Sequence, residues 1–257
     1  MTWEVGAMRR MAADSRSLVR YSADLLFSRI RRWSHRPPSA KERRIRLKGG
    51  VTLAYRPQGG DLWSIREIWL CESYRLPSFA PSPAIVIDLG ANIGTTSVWL
   101  AKRHGCRQLI AVEPSVSNAA LVRVNFALNR TPGTVIEAAV APFDGEARFE
   151  ENSMSNLGRL GEHGRPVRAV SMTTVMKELP GDTEVDLLKL DIEGGEQALL
   201  TGGELPWLRR VRSIIAEFHP RLVDYAGLIR ILQNSGFTYY PAGTCHPDSM
   251  DFFLRSK

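Results

Sequence analysis

"LLKLDIEGGE", residues 187 to 196, sets Lys189, Asp191, Glu193 and Glu196 directly behind a pair of leucines. A second apolar run, "IIAEFHP", ends in Glu217, Phe218 and His219. Carboxylates gathered in one place raise one another's pKa values unless a cation intervenes. If these two stretches are neighbouring strand ends, their side chains meet in one crevice and suit a general base or a divalent metal. Asp191, Glu193 and His219 are the candidate catalytic groups. Taken singly, Asp191 reads equally as a helix cap and His219 as a helix-start residue.

A third stretch supplies a ligand cradle. In "AIVIDLGANIGTTSVWLAKRHG", residues 84 to 105, an apolar run meets Asp88, and Gly90, Asn92 and Gly94 follow before a helical pattern. Gly90 allows a sharp turn and a close backbone approach. Gly94 is expected in the first helical turn, where a side chain would crowd strand and ligand. Free amides at that helix start suit a carboxylate or phosphate, and Asp88 suits an ammonium group or the orientation of the loop. A dinucleotide fingerprint needs G-x-G-x-x-G, and two of its three glycines are missing, which disfavours nicotinamide and flavin cofactors. The pattern D-x-G-x-x-x-G is the one used for S-adenosylmethionine. Glu113 closes the next apolar run, "AVEP", where a carboxylate can accept from ribose hydroxyls. Ala139, within the small-residue stretch 138–141, is placed beside the adenine ring.

These groups need elements to hold them. From residue 84 onward, apolar runs of strand length alternate with helix-period segments. That rhythm predicts an α/β fold with a mostly parallel sheet covered by helices on both faces. Such sheets bind ligands beyond the carboxyl ends of their strands, where the strand order reverses. Upstream, residues 14–33 carry Leu18, Val19, Leu25, Leu26, Ile30 and Trp33 at helical spacing with arginines between. Pro37 and Pro38 mark a hinge. "IRLKGGVTLAYRP" reads as a hairpin turning at Gly49-Gly50, and "GDLWSIREIWLCESY" as a helix capped by Asp61. The expected organisation is a basic arm over 1–48, a hairpin and helix over 49–83, and a cofactor-binding catalytic domain over 84–257.

The charge is uneven. Residues 1–48 hold 13 Lys/Arg against 4 Asp/Glu, and the remainder 21 against 23. The basic character therefore belongs to the arm. It is expected to meet an anionic membrane surface or a partner, to pack on its own domain, or to form a homodimer. A nucleic-acid partner is not expected, because no basic and aromatic face accompanies the main domain. Three scattered cysteines, Cys71, Cys106 and Cys245, match no zinc or disulfide spacing and suit a reducing, cytoplasmic setting. No apolar run reaches the roughly 18 residues that span a bilayer, so a membrane-peripheral position is the closest contact expected. Arginine outnumbers lysine 28 to 6, which fits a GC-rich bacterial source.

"VIDLGANIGTTSVWLA", "AVEPSVSNAALVRVNFALN", "VDLLKLDIEGGEQALLTGG" and "IIAEFHP" together resemble the FkbM family of S-adenosylmethionine-dependent methyltransferases, over about residues 84 to 220. The resemblance implies a class I methyltransferase, Rossmann-like fold: a seven-stranded sheet whose last strand is antiparallel. It implies O-methylation, commonly of sugar, glycan or polyketide hydroxyls. It also places Asp191, Glu217 and His219 where related O-methyltransferases hold magnesium. The polar stretch 150–167 is expected to form an acceptor lid through Asn156, Arg159 and His163, or a plain solvated hairpin. Tyr74 and Trp63, in the helix before the first sheet strand, are candidates for the acceptor side or for core packing. The rivals are an RNA methyltransferase, which would want an N/D-P-P-Y-type motif or a cysteine nucleophile where "LDIEGGE" stands, and a non-catalytic S-adenosylmethionine-binding scaffold.

Overall fold

The computed structural model describes residues 2–34, 41–57, 59–150, 158–161, 163–243 and 250–256; the proline hinge, Asn156 and Cys245 lie outside them. The chain opens with α1 (Thr2–Met11), which the sequence reading did not anticipate, and α2 (Ser15–Ser34). The hairpin of β1 (Arg43–Leu47) and β2 (Val51–Tyr55) follows, with Gly49 and Gly50 at φ 76° and 74° in its turn. It straddles position 48, so the arm and the following segment share a sheet. Next come α3 (Gly59–Ile65), a π-helical turn over Arg66–Leu70, and β3 (Ile85–Leu89). Then follow α4 (Thr95–His104), β4 (Gln108–Val112), α5 (Val116–Asn129), β5 (Gly133–Ile136) and β6 (Ala139–Val140). β7 (Gly145–Glu150), β8 (Arg159–Leu160), β9 (Arg165–Val170) and α6 (Met172–Met176) lead to β10 (Leu187–Leu190) and α7 (Glu196–Thr201). The chain closes with β11 (Ser213–Ala216), α8 (Tyr225–Asn234), β12 (Phe237–Tyr240) and β13 (Asp251–Arg255).

The main sheet has seven strands in the order β12-β13-β11-β10-β3-β4-β5, and β13 alone runs against the rest. This is the α/β sheet the sequence implied. Strand alternation explains why it needs cover on both sides. Val86, Leu109, Ala111, Leu187 and Ile215 feed one core together with residues of α1, α2, α3, α4, α5 and the hairpin. Ile87, Leu89, Ile110, Val112, Leu188, Leu190 and Ile214 feed the other, against α6, α7 and α8. A fully buried leucine or isoleucine contributes about 1.5–3 kcal/mol, so each strand is held from two faces. β6, β7, β8 and β9 form a separate small sheet; β7 and β9 pair antiparallel, and β6 joins β9 in parallel.

The arm is built into the first core. Met8, Tyr21, Ile45, Leu53 and Tyr55 are all buried. Among the described residues no strand pairs with the outer edge of β2, and α5 supplies the missing partners. Asn125 accepts from Ala54 N at 2.7 Å and donates to Ala54 O at 3.0 Å; Asn129, one turn on, does the same for Thr52 at 2.9 and 2.7 Å. Two side-chain amides at i and i+4 thus stand in for a β-strand. Asp61 is not a cap. It lies inside the first turn of α3, where its carboxylate binds the Arg56 guanidinium at 2.8 Å and Arg56 N at 2.8 Å.

Candidate functional site

A cavity of about 290 Å³ opens at the carboxyl ends of β3, β4, β10 and β11. The strand order explains its place: the chain leaves β3 toward β4 and β5 on one side and returns as β10 and β11 on the other. Its walls come from Gly90, Asn92, Glu113, residues 138–140, Asp191, Glu193, Glu217 and His219, and also from Trp63, Glu67 and Tyr74 upstream of the sheet.

Gly90 has φ +74°, and a Cβ there would lie 1.8 Å from the backbone oxygen of Asp191. The glycine is therefore required twice, by its left-handed backbone and by the contact between the β3 and β10 tips. Its amide and that of Ala91 both donate to Val112 O, at 3.0 and 3.1 Å. Gly94 also has φ +77°, but it is the N-cap of α4, not part of its first turn, and a Cβ would meet Val122 of α5 at 3.0 Å. Its smallness serves helix packing, and it does not line the cavity. Asn92 at φ 49° donates its backbone N–H to Glu113 Oε2 at 2.8 Å and its side-chain amide to Ser64 at 2.7 Å. Its Oδ1 is buried on the cavity wall with no hydrogen-bond partner among the described residues. The other Glu113 oxygen accepts from Ser115 N at 2.9 Å and Asn118 Nδ2 at 3.3 Å. Burial nonetheless pushes the Glu113 carboxyl up to about 7.

Asp88 lies beneath the loop, fully buried and outside the cavity lining. It accepts from Ser97 Oγ at 2.6 Å and faces Lys189 Nζ at 3.2 Å. β3 and β10 pair Asp88 with Lys189 in register, which brings them together. The Lys189 ammonium also donates to the carbonyls of Leu89 and Gly90 at 3.1 and 2.6 Å and sits 3.3 Å from Asp191. Burial works against that charge, but Asp191 and Asp88 outweigh it and raise the lysine pKa. One buried cation thus ties the glycine turn to the acid-bearing tip of β10.

The predicted acids do meet. Asp191, Glu193 and His219 present ligand atoms within 4.8 Å of one another. Glu217 stands beside them but outside that triplet, held by Tyr74, whose hydroxyl donates to Asp191 at 2.9 Å and to Glu217 at 3.4 Å. Tyr74 lies in a turn after the π-helical segment, not in a helix. His219 spans two carboxylates, with Nε2 3.2 Å from Glu193 and Nδ1 3.5 Å from Glu196. The Glu196 carboxylate is the main cause that lifts His219 to about 9. Burial, then Asp191, lifts Glu193 to about 7 and Glu217 to about 8. Glu193 is further marked by φ 52°, a conformation that only the surrounding structure can impose on a non-glycine residue.

Glu67, which the sequence reading missed, projects into the same cavity, and burial raises it to about 7. It rides on the π-helical turn, a rare element that tends to occur at functional sites, anchored where Trp69 Nε1 donates to Thr95 Oγ1 at 2.6 Å. Of the expected lid, Asn156 lies outside the described residues. Arg159 starts β8, and its neighbours Gly158 and Leu160 border the cavity. His163 is exposed, its backbone N–H 3.3 Å from Glu150 Oε1, and does not line the cavity. Trp63, 50% exposed, forms part of the wall.

The methyltransferase FkbM domain matches residues 88–239. A 31-O-demethyl-FK506 methyltransferase FkbM of Streptomyces tacrolimicus is 25% identical over 230 residues, covering 76% of this chain and 88% of that protein. Methyltransferase 1 of Beauveria bassiana is 20% identical over 197 residues, covering 67% of this chain and 79% of its own. Among solved structures, fibrillarin of Aeropyrum pernix in complex with S-adenosyl-L-methionine aligns over 75% of this chain and 74% of that one, with a TM-score of 0.43 and 13% identity.

Proposed function

We infer what this chain methylates from one premise: it belongs to the FkbM family of methyltransferases and uses S-adenosylmethionine. The cavity fits that cofactor. Asn92 Oδ1 is a buried acceptor without a donor among the described residues, Glu113 is a buried carboxyl on the same wall, and the turn at Gly90 leaves no side chain in the way. Asn92 and Glu113 would take the ribose hydroxyls, and Ala138 to Val140 would border the adenine. When bound, the cofactor supplies a methyl group already activated by its sulfonium.

The residues of the chain must then orient a nucleophile and take its proton. We assign the acceptor as a hydroxyl of a sugar or glycan, and Glu193 as the group that receives the proton. The observation that carries the choice of base is the Glu193 carboxyl, raised to about 7 at the cavity and faced by His219 at 3.2 Å. A base near neutrality is charged often enough to act and basic enough to matter. Asp191 is less free, because one of its oxygens already meets Tyr74 and Lys189. It holds the acceptor pocket in shape, with Glu217 behind Tyr74. The exposed face of Trp63 on the wall offers a platform for a sugar ring.

Magnesium fits the donor set poorly. It prefers six oxygens in near-octahedral array, and the compact triplet includes a histidine whose two nitrogens face Glu193 and Glu196. Lys189 and His219 already supply two positive charges among these acids. No step here runs through a metal, and turnover is expected to persist in excess chelator; a requirement for added magnesium would overturn the assignment of Glu193.

A second reading is a hydroxyl of a polyketide or other small natural product; the Streptomyces relative is named for an O-methylation acceptor, 31-O-demethyl-FK506. Incubation with methyl-labelled cofactor and a panel of mono- and oligosaccharides beside hydroxylated macrolides separates the two. Label is expected in a sugar. Label only in a macrolide selects the second reading, and cofactor binding without transfer to any hydroxyl would favour a scaffold.

A further inference from the structure

We propose that the outer face of the N-terminal arm docks on an anionic lipid surface. α2 is two-sided: Tyr21, Asp24 and Leu25 are buried, whereas Val19, Leu26, Phe27 and Ile30 are 45% to 66% exposed. Val19, Leu26 and Ile30 stand at i, i+7 and i+11, within about 20° of one line along the helix, and Phe27 flanks them. Four large apolar side chains on one helical face form a patch, unlike single exposed hydrophobics, which are ordinary.

Basic groups rim the patch. Arg16, Arg20 and Arg43 line a shallow groove beside Val19, and Arg44, Arg46 and Lys48 are exposed on and just after β1. The acids of the arm are largely turned inward. Asp24 is buried against Arg43 and the Tyr55 hydroxyl, and Glu4 pairs with Arg29 at 3.0 Å and Arg66 at 3.4 Å. Only Asp14, 3.7 Å from Arg46, and Glu42, 3.1 Å from Arg44, offset the surface charge.

Charge selects the occupant. A twofold self-contact would bring together two copies of the same net-positive rim, like charge facing like across the stripe. An anionic bilayer satisfies both components at once, acyl chains for the stripe and headgroup phosphates for the guanidiniums. The surface also continues to the cavity. Trp3 lies at the Arg29 end of α2, because its neighbour Glu4 pairs with Arg29, and the Arg66 guanidinium sits 5.6 Å from the Trp3 ring and 4.7 Å from that of Trp63. Tryptophan settles at membrane–water interfaces, so docking through this face sets the cavity wall close to the headgroups.

Flotation with vesicles tests the proposal independently of the acceptor. The full chain is expected to float with phosphatidylcholine–phosphatidylglycerol vesicles, not with phosphatidylcholine alone, and to be released by salt. Phe27→Ser with Ile30→Ser should weaken partitioning at least about tenfold, and Arg16→Gln and Arg20→Gln about fivefold each. Calorimetric binding of S-adenosylhomocysteine, expected unchanged in these variants, verifies their fold. Equal flotation on both vesicles, none on either, or variants that float like wild type would overturn the proposal. So would a sedimenting dimer that Phe27→Ser with Ile30→Ser splits into monomers, since the stripe would then be covered by a second copy.

Discussion

At the residue scale, the cavity rests on a few side chains whose environments fix their charge. Glu193→Gln is expected to lower kcat by about 10²–10³-fold while leaving S-adenosylhomocysteine affinity within a few-fold. The pH–rate profile should be bell-shaped. Glu193 must lose its proton, so the rate rises through about 7, and His219 must keep its own, so the rate falls through about 9. In Glu193→Gln the acid-side limb should vanish, and its survival would assign the base elsewhere. Gly90→Ala forces a methyl into the Asp191 carbonyl and should cost more than about 3 kcal/mol or abolish cofactor binding, measured by denaturation and calorimetry. The sequence displayed these residues well because short-range rules govern them: a glycine needed by the backbone, and acids following apolar runs. It mis-explained Gly94, whose neighbour Val122 lies on another helix. It also could not show that Lys189 reaches across to the glycine turn, since that depends on strand register.

At the element scale, periodicity gave the sheet strands and most of the helices, while the joins were harder. α1 is short and mixed in composition, and no strong apolar period announces it. The π-helical turn leaves no mark in the sequence, because one extra residue per turn is imposed by what the segment packs on, here Thr95 through Trp69. Glu67 was invisible for the same reason. The asparagine clip on β2 carries a direct expectation. Asn125→Ala leaves Ala54 N and O buried without partners and should cost about 1–3 kcal/mol in chemical denaturation. The β1–β2 hairpin should become protease-sensitive well before the main sheet. Uniform loss of protection would mean that the arm and the sheet unfold as one unit.

At the scale of the whole molecule, four carboxyls, the buried Glu113 and the half-buried Glu67, Glu193 and Glu217, are raised, as is His219. A raised group favours the folded state fully below its unfolded pKa, and that contribution is lost as pH climbs through the folded value. All five therefore act in one direction. Stability should decline from about pH 4.5 to about pH 9, with Tm at least about 5 °C lower at the alkaline end; a Tm that climbs with pH would mean these carboxyls ionise at little cost. The cavity wall itself is composite. Asn92, Glu113, Asp191, Glu193 and His219 belong to the stretch 88–239, whereas Trp63, Glu67 and Tyr74 precede it. On the proposed reading, the proton-accepting group and part of the acceptor wall therefore come from different lengths of chain. A chimera that grafts residues 1–83 of a relative onto this sheet should inherit the donor's taste in hydroxyls while keeping the host's catalytic machinery, so new specificities can arise by exchanging a leading segment instead of remodelling the sheet.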